Sequence, residues 1–361
     1  MAKILISPLS WGLGHASRIV PIAKEFLKRN HVVTFATSGR ALIFLHNEFP
    51  QCEIIEFNDY PTPFTSTPFF ATKFTLYIPT MLKSIQKEKE ETNKILTKKN
   101  FDLIISDARF GVYSKDIPSF FINHQMKFNT PLFLKPVVPL SELFHTLFHK
   151  NFQRIIIPDN PPGETSLLGN LGISKQPYTN KIIYYCGILA GVEKIDIKEE
   201  DIDYLITIST PGGQSYLENK ILKQAPDIPG KKIILLGRPE EKFEYKLSSD
   251  IFIKSYASRE EINILMNRSK FIITRGGYTT LMEIAELNKK HTILIPIPGH
   301  TEQQYIAKHV KTRHWFYSTS QYKLNLPIDI QKSIKYQGLP KMSKTKDNVK
   351  KIYDEIFIKY L

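Results

Sequence analysis

Apolar positions follow two alternating rhythms along this chain. Lys3–Ser7 is a compact apolar run, and residues 8–15 (PLSWGLGH) read as a loop. From Ser17 to Lys28, Ile19, Ile22, Ala23, Phe26 and Leu27 recur at helical spacing. Val32–Ala36 predicts a second strand, Leu42, Leu45 and His46 a short helix, and Glu53–Phe57 a third strand. Residues 58–80 break the rhythm: four prolines and six aromatics with no clean period limit regular structure there. A Lys- and Glu-rich helix is expected over 81–98, then strands at Phe101–Ser106 and Ser119–Asn123. Residues 139–152 are amphipathic, with Leu140, Leu143, Phe144, Leu147 and Phe148 on one face. That stripe either packs on the sheet or meets lipid or an apolar acceptor. Arg154–Ile157 and Lys181–Tyr185 close this first series.

Residues 191–201 (GVEKIDIKEED) are charged and patternless, which places a linker there. A second series follows, with strands at Tyr204–Ser209, Lys232–Leu236, Ile251–Lys254, Phe271–Thr274 and Thr292–Ile295. Strands alternating with helices argue for parallel sheets covered on both faces. Each series opens with a strand and a glycine loop. The expectation is an α/β chain of two Rossmann-like domains with parallel sheets facing a central cleft. The N-terminal domain takes residues 1–190 and the C-terminal domain 191–344, and a last helix in 345–361 can cross back to the first domain.

Composition narrows the class. The 361 residues are 42% apolar and 23% charged, which excludes a fibrous or wholly disordered chain. Two cysteines, Cys52 and Cys186, exclude a disulfide scaffold or a cysteine-built zinc site. The start, MAKILIS, is too short for a signal sequence, and no run approaches the roughly 18 apolar residues of a membrane span. The expected location is cytosolic or on the cytosolic face of a membrane. A net charge of +14 with 12% aromatics suits nucleic acid, an anionic membrane surface or phosphorylated substrates. No zinc spacing, helix-turn-helix signature or aromatic ribonucleoprotein motif is present, so no specific nucleic-acid partner is expected.

Four segments carry candidate chemistry. In the first loop, Gly12 and Gly14 let a backbone approach a ligand, and His15 stands where loop meets helix, either as a catalytic or substrate-contacting group or as a structural cap. Full dinucleotide spacing is missing, and Ala36, Thr37 and Ser38 stand where a nicotinamide-binding fold wants a carboxylate. The second loop offers Gly212, Gly213, Gln214 and Ser215, whose N–H groups can hold a phosphate or simply form a tight turn. The third runs from Arg275, Gly276 and Gly277 to Glu283, one turn into a helix, where a carboxylate can accept both hydroxyls of a ribose or stabilise the helix dipole. Arg275 either meets phosphate or sits in a local ion pair. The fourth, Glu302, Gln303 and Gln304, presents donors and acceptors suited to sugar hydroxyls, or caps a helix. Asp107 and His124 end neighbouring strands, Asp107 as a base, a partner of His15 or a purely structural group, His124 as an acceptor contact.

Taken in order, these segments resemble the two-domain GT-B glycosyltransferases, most closely the MurG-like branch of glycosyltransferase family 28. The resemblance is strong over 271–310, moderate over 1–40 and weak between 58 and 150. It implies an inverting transfer from a nucleoside diphosphate sugar, uridine-linked, with no metal and no other cofactor in the site. Glu283 would take the ribose, Gly212 through Ser215 the diphosphate, and Gly276 and Gly277 the same pocket. The backbone at Tyr256 and Ala257 would meet the base, and Glu302, Gln303 and Gln304 the sugar. His15 would stand near the acceptor, a glycan or lipid-linked hydroxyl. Trp11-Gly12-Leu13-Gly14 lacks the extra glycines of the peptidoglycan enzyme, and Pro211 precedes the second glycine pair. Both departures point to a different glycolipid or polyprenyl-linked acceptor. Two competing readings remain open at this stage: a nucleotide-sugar 2-epimerase of the same fold, and a basic nucleic-acid-binding protein.

Overall fold

The structure, a computed structural model, describes residues 1–61, 70–127, 138–197, 201–208, 214–238 and 241–361. Backbone contacts divide it into two compact units, Met1–Gly191 with Ser343–Leu361, and Val192–Met342.

The first unit runs β1 (Lys3–Pro8), α1 (Leu13–Lys28), β2 (Val32–Thr37), α2 (Gly39–Glu48), β3 (Glu53–Glu56), α3 (Phe70–Lys98), β4 (Leu103–Asp107), β5 (Ser119–Ile122), α4 (Val138–His149), β6 (Arg154–Ile157), α5 (Pro177–Ile182) and β7 (Ile183–Tyr185). The strands pair in the order β3-β2-β1-β4-β5-β6-β7, every pair parallel. Parallel strands need crossovers, and the helices supply them, so the strands are covered on both faces and read as nearly continuous apolar runs. All five residues of β4 are buried. The order reverses direction between β1 and β4, whose carboxyl ends, Pro8 and Asp107, are in register.

Two expectations shift here. Helix α1 begins at Leu13, earlier than the periodicity suggests, which places Gly14 and His15 in its first turn. Helix α3 starts at Phe70 and runs through Pro79; one missing N–H does not stop a helix of 29 residues. Residues 62–69 of the proline-aromatic segment lie outside the described residues.

The second unit runs β8 (Ile202–Thr207), α6 (Gln214–Gln224), β9 (Lys232–Leu235), β10 (Glu244–Ser248), β11 (Ile251–Lys254), α7 (Arg259–Arg268), β12 (Ser269–Thr274), α8 (Tyr278–Leu287), β13 (His291–Leu294), α9 (Thr301–Thr312), β14 (Tyr317–Ser318) and α10 (Leu326–Ser333). Its order is β10-β11-β9-β8-β12-β13-β14. Among the described strands only β10 is antiparallel, an edge strand beyond β11. Ile206, Ile234, Ile253, Ile273 and Ile293 occupy five successive parallel strands and form one buried cluster. Each fully buried isoleucine contributes about 1.5–3 kcal/mol, so this layer is a main source of the unit's stability. The order reverses between β8 and β12, where the Thr207 hydroxyl donates to Thr274 Oγ1 at 2.8 Å.

The last helix, α11 (Thr345–Glu355), belongs to the first unit and packs on α1. Beyond it Phe357 meets Phe26 and Phe120 at ring separations of 5.2 and 5.1 Å.

Candidate active site

In open α/β sheets, ligands bind beyond the carboxyl ends of the strands where the strand order reverses. Each unit has such a point, and most of the candidate residues gather at one or the other.

In the first unit, Asp107 ends β4 with no exposed surface. His15, from the first turn of α1, brings Nδ1 to 2.7 Å from Asp107 Oδ1. One helical turn on, Arg18 donates from Nε to Asp107 Oδ2 at 2.5 Å and from Nη2 to Oδ1. Arg18 also donates from Nη1 to His124 Nδ1 at 2.8 Å, just past β5. The His15 and His124 rings lie 6.0 Å apart. Two strand ends and one helix face therefore bring four polar side chains together. Partnership with His15 was one of the readings open for Asp107; Arg18 was not singled out.

The electrostatics set the protonation states. Burial would push the Asp107 carboxyl up, but the charges of Arg18 and His15 and their hydrogen bonds outweigh it and hold it at about 2. His15 is lowered, chiefly by burial and further by Arg18 and His124, against the pull of Asp107. A neutral His15 donating Nδ1–H to Asp107 keeps its lone pair on Nε2, the form a general base requires. His124 accepts from a guanidinium, so its proton lies on Nε2.

The backbone at Asp107 is strained. Ala108 has φ +60°, a left-handed conformation uncommon outside glycine. It lets two charged side chains on either side of Ala108, at and just past the end of β4, diverge. Asp107 turns toward α1, while buried Arg109 donates to Asp59 (2.6 Å), Glu88 (2.9 Å) and the Pro8 carbonyl (3.1 Å). Asp59 in turn accepts from the Ser10 N–H at 2.9 Å, which anchors the loop leading to Gly12. Strain of this kind persists where surrounding contacts over-determine it. Gly12 caps α1 with no side-chain hydrogen bond, and a Cβ placed there would meet nothing within 4 Å.

In the second unit, the loops after β11, β12 and β13 carry the candidates. Gly277 caps α8 without a side-chain partner, and a Cβ there would also meet open space. Arg275 is 4% exposed. Its Nη1 donates to Gln321 Oε1 at 3.0 Å. Among the described residues its Nε and Nη2 find no partner, and burial lowers the guanidinium to about 10. Glu283, one turn into α8, is 6% exposed and accepts from Arg259 Nη2 at 2.8 Å. Arg259 opens α7, two residues after Ala257. The start of α7, just after Tyr256–Ala257, and the carboxylate of Glu283 are thus joined through one ion pair. Arg259 gave no signal in the sequence beyond following the Ser258 cap.

The remaining candidates are placed less centrally. Glu302 and Gln304 lie in the first turn of α9, half-buried and exposed. Gln303 is buried and turns back, accepting from the Ile297 N–H at 3.0 Å. Gln214 and Ser215 open α6. Gly212 and Gly213 lie outside the described residues. No three His, Cys, Asp or Glu side chains gather into a cation site among the described residues, and no described helix is long and apolar enough to cross a membrane.

Two parallel α/β units of this design in one chain define the GT-B architecture. Residues 209–355 match the family model for the glycosyltransferase family 28 C-terminal domain. The chain is similar, at 24% identity over 323 residues, to an uncharacterized glycosyltransferase of Methanosarcina acetivorans; the match covers 84% of this chain and 81% of that one. Among solved structures it is similar to the glycotransferase of kitacinnamycin, with a TM-score of 0.62, 12% identity, and 98% and 95% of the two chains covered. It is also similar to the spinosyn rhamnosyltransferase SpnG in complex with thymidine diphosphate, with a TM-score of 0.57, 12% identity, and coverages of 99% and 96%. The chain has the GT-B fold, and residues 209–355 relate it to the family 28 glycosyltransferases.

Proposed function

We propose that this enzyme moves a sugar, with inversion, from a uridine diphosphate sugar to a hydroxyl of a glycan or lipid-linked acceptor. The observation that carries the donor assignment is Arg275. A guanidinium buried with two nitrogens unpartnered among the described residues is costly unless an anion completes it. It precedes the N-terminus of α8, where the cap is a glycine and the helix dipole favours the same charge. One turn deeper, Glu283 has a carboxylate fixed by Arg259 and suited to a ribose diol. Base, ribose and diphosphate would then be read by Tyr256–Ala257, Glu283, and Arg275 with Gly276 and Gly277. A diphosphate in the SpnG complex is in keeping with this reading.

The first unit supplies the acceptor chemistry. The acceptor oxygen attacks the anomeric carbon, its proton passes to His15 Nε2, and the bond from carbon to the diphosphate oxygen breaks. The diphosphate leaves with the electron pair. Asp107 holds the tautomer of His15 and stabilises the imidazolium as it forms, while Arg18 keeps Asp107 ionised and in place. Donors aimed at the departing diphosphate replace the charge a cation would bring.

Calorimetry with nucleoside diphosphates and their sugars tests the donor half. A uridine diphosphate sugar at a hundred times its Kd should stabilise the protein by about 2.7 kcal/mol. Glu283→Ala should weaken that binding at least ten-fold. Full affinity in that variant, or no binding of any nucleotide, overturns the assignment. Flotation with anionic and neutral vesicles tests a lipid-borne acceptor, for which the net charge of +14 is the support.

A further inference from the structure

Strand β10 is out of keeping with the rest of its sheet. It pairs with β11 on one side and ends the strand order on the other. All five of its residues are exposed. Phe243, Tyr245 and Leu247, at alternate positions, are 37%, 47% and 48% exposed. Phe243 and Tyr245, alternate residues ahead of the register shift between Lys246 and Ser248, share a face, so a strand edge and an apolar pair are presented together. Natural sheets avoid bare edges of this kind because they template pairing.

The backbone phase fixes which groups are free to pair. The Phe243 carbonyl accepts from the Ser255 N–H at 3.0 Å, so its polar groups face inward, toward the β11 side. By alternation those of Tyr245 also face inward, and those of Glu244 and Lys246 face the open edge. An antiparallel partner strand must bring outward groups opposite outward groups. If the partner is a second copy of β10, three registers do so. Glu244 opposite Glu244 and Lys246 opposite Lys246 set like charges face to face. The third sets Glu244 opposite Lys246 twice and Tyr245 opposite Tyr245. Of the three, only that register pairs Glu244 and Lys246 with opposite charges and lays Tyr245 against Tyr245. Glu244 already reaches Lys254 at 3.0 Å but is 71% exposed, which leaves it open to a second cation.

We propose that β10 is a self-complementary docking edge, through which two copies of this chain join antiparallel about a two-fold axis at Tyr245. The interface is isologous, so one residue change alters it twice. The pairing shifts register between Lys246 and Ser248, which confines the contact to a short stretch and makes the association weak. The proposal does not depend on the reading of the active site.

Sedimentation velocity on the full chain, from micromolar to submillimolar concentration, tests it. A reversible species of twice 41.7 kDa is expected. Glu244→Lys and Lys246→Glu should each weaken it about ten-fold or more, since two attractive pairs become repulsive. The double reversal, Glu244→Lys with Lys246→Glu, should restore it, with circular dichroism confirming that every variant is folded. A chain monomeric throughout, single reversals that associate as well as the parent, or a double reversal that stays monomeric each overturn the proposal.

Discussion

Acidification from pH 7 to pH 5 should loosen the first unit through two buried imidazoles. His145 and His149, one turn apart on α4, are 3% and 1% exposed. They pack among Phe110, Phe144 and Phe121, with the hydroxyl of Thr179 3.4 Å from His149 Nδ1. Burial lowers His145 from 6.5 to about 4. Burial, with the neighbouring His145, lowers His149 to about 3. The unfolded chain therefore takes up protons near 6.5 while the native rings stay neutral. Stability is fully present above 6.5 and is lost as pH falls toward the native values. At pH 5 the unfolded state has gained 1.5 pH units of proton binding at each ring, at about 1.36 kcal/mol per unit. That is about 2 kcal/mol per histidine and about 4 kcal/mol for the pair, or a melting temperature lower by about 10 °C in a unit of this size. Glu88 titrates in the opposite sense. Burial raises it to about 7 against the pull of Arg109, so the native state binds its proton first and acid strengthens the fold. The informative quantity is therefore the difference between the parent and a His145→Leu/His149→Leu variant, in which Glu88 cancels. Urea unfolding at pH 7 and pH 5 measures it. If parent and variant lose equal stability between the two values, the histidines are not the cause and the reasoning fails.

Further tests concern the site and its supports. His15→Ala should lower kcat about 100-fold or more while donor affinity by calorimetry holds; because His15 is lowered, the acid limb of kcat/KM in the parent should fall below pH 6.5. Arg259→Ala should raise the donor Kd and leave kcat nearly unchanged, since Arg259 acts through Glu283; equal binding by parent and variant excludes that role. Gly187→Ala should cost at least about 2 kcal/mol by urea unfolding, because φ is +75° and a Cβ would lie 2.6 Å from Asn348 Nδ2. Ala108→Gly should gain about 0.5–1 kcal/mol if the left-handed conformation is the strained one.

What could be read in advance follows from how local each signal is. Arg154–Ile157 and Ile251–Lys254 are unbroken apolar runs bounded by polar residues, and the strands match those limits. Strand β10 escaped because Glu and Lys alternate with its aromatics, a pattern equally suited to a solvated loop. Strand β14 is only two residues long, and its pairing depends on a neighbour already in place. Asp107 was legible as a strand-end carboxylate. Arg18 was overlooked although it sits with Ile19 and Ile22 on the apolar face of α1, where a charge demands a buried partner. That partner lies 89 residues away in sequence, a separation no local pattern encodes. That two nitrogens of Arg275 find no partner among the described residues is likewise a tertiary fact, invisible until Gln321 and the β12 turn are placed.

The aromatic seam of Phe26, Phe120 and Phe357 has a bearing on how this protein is made. A ribosome delivers Phe26 and Phe120 before the second unit and Phe357 after it. The second unit can therefore fold while the first still waits for its closing piece. A stalled or nicked chain lacking 343–361 would leave this seam bare and open to chaperones or to aggregation.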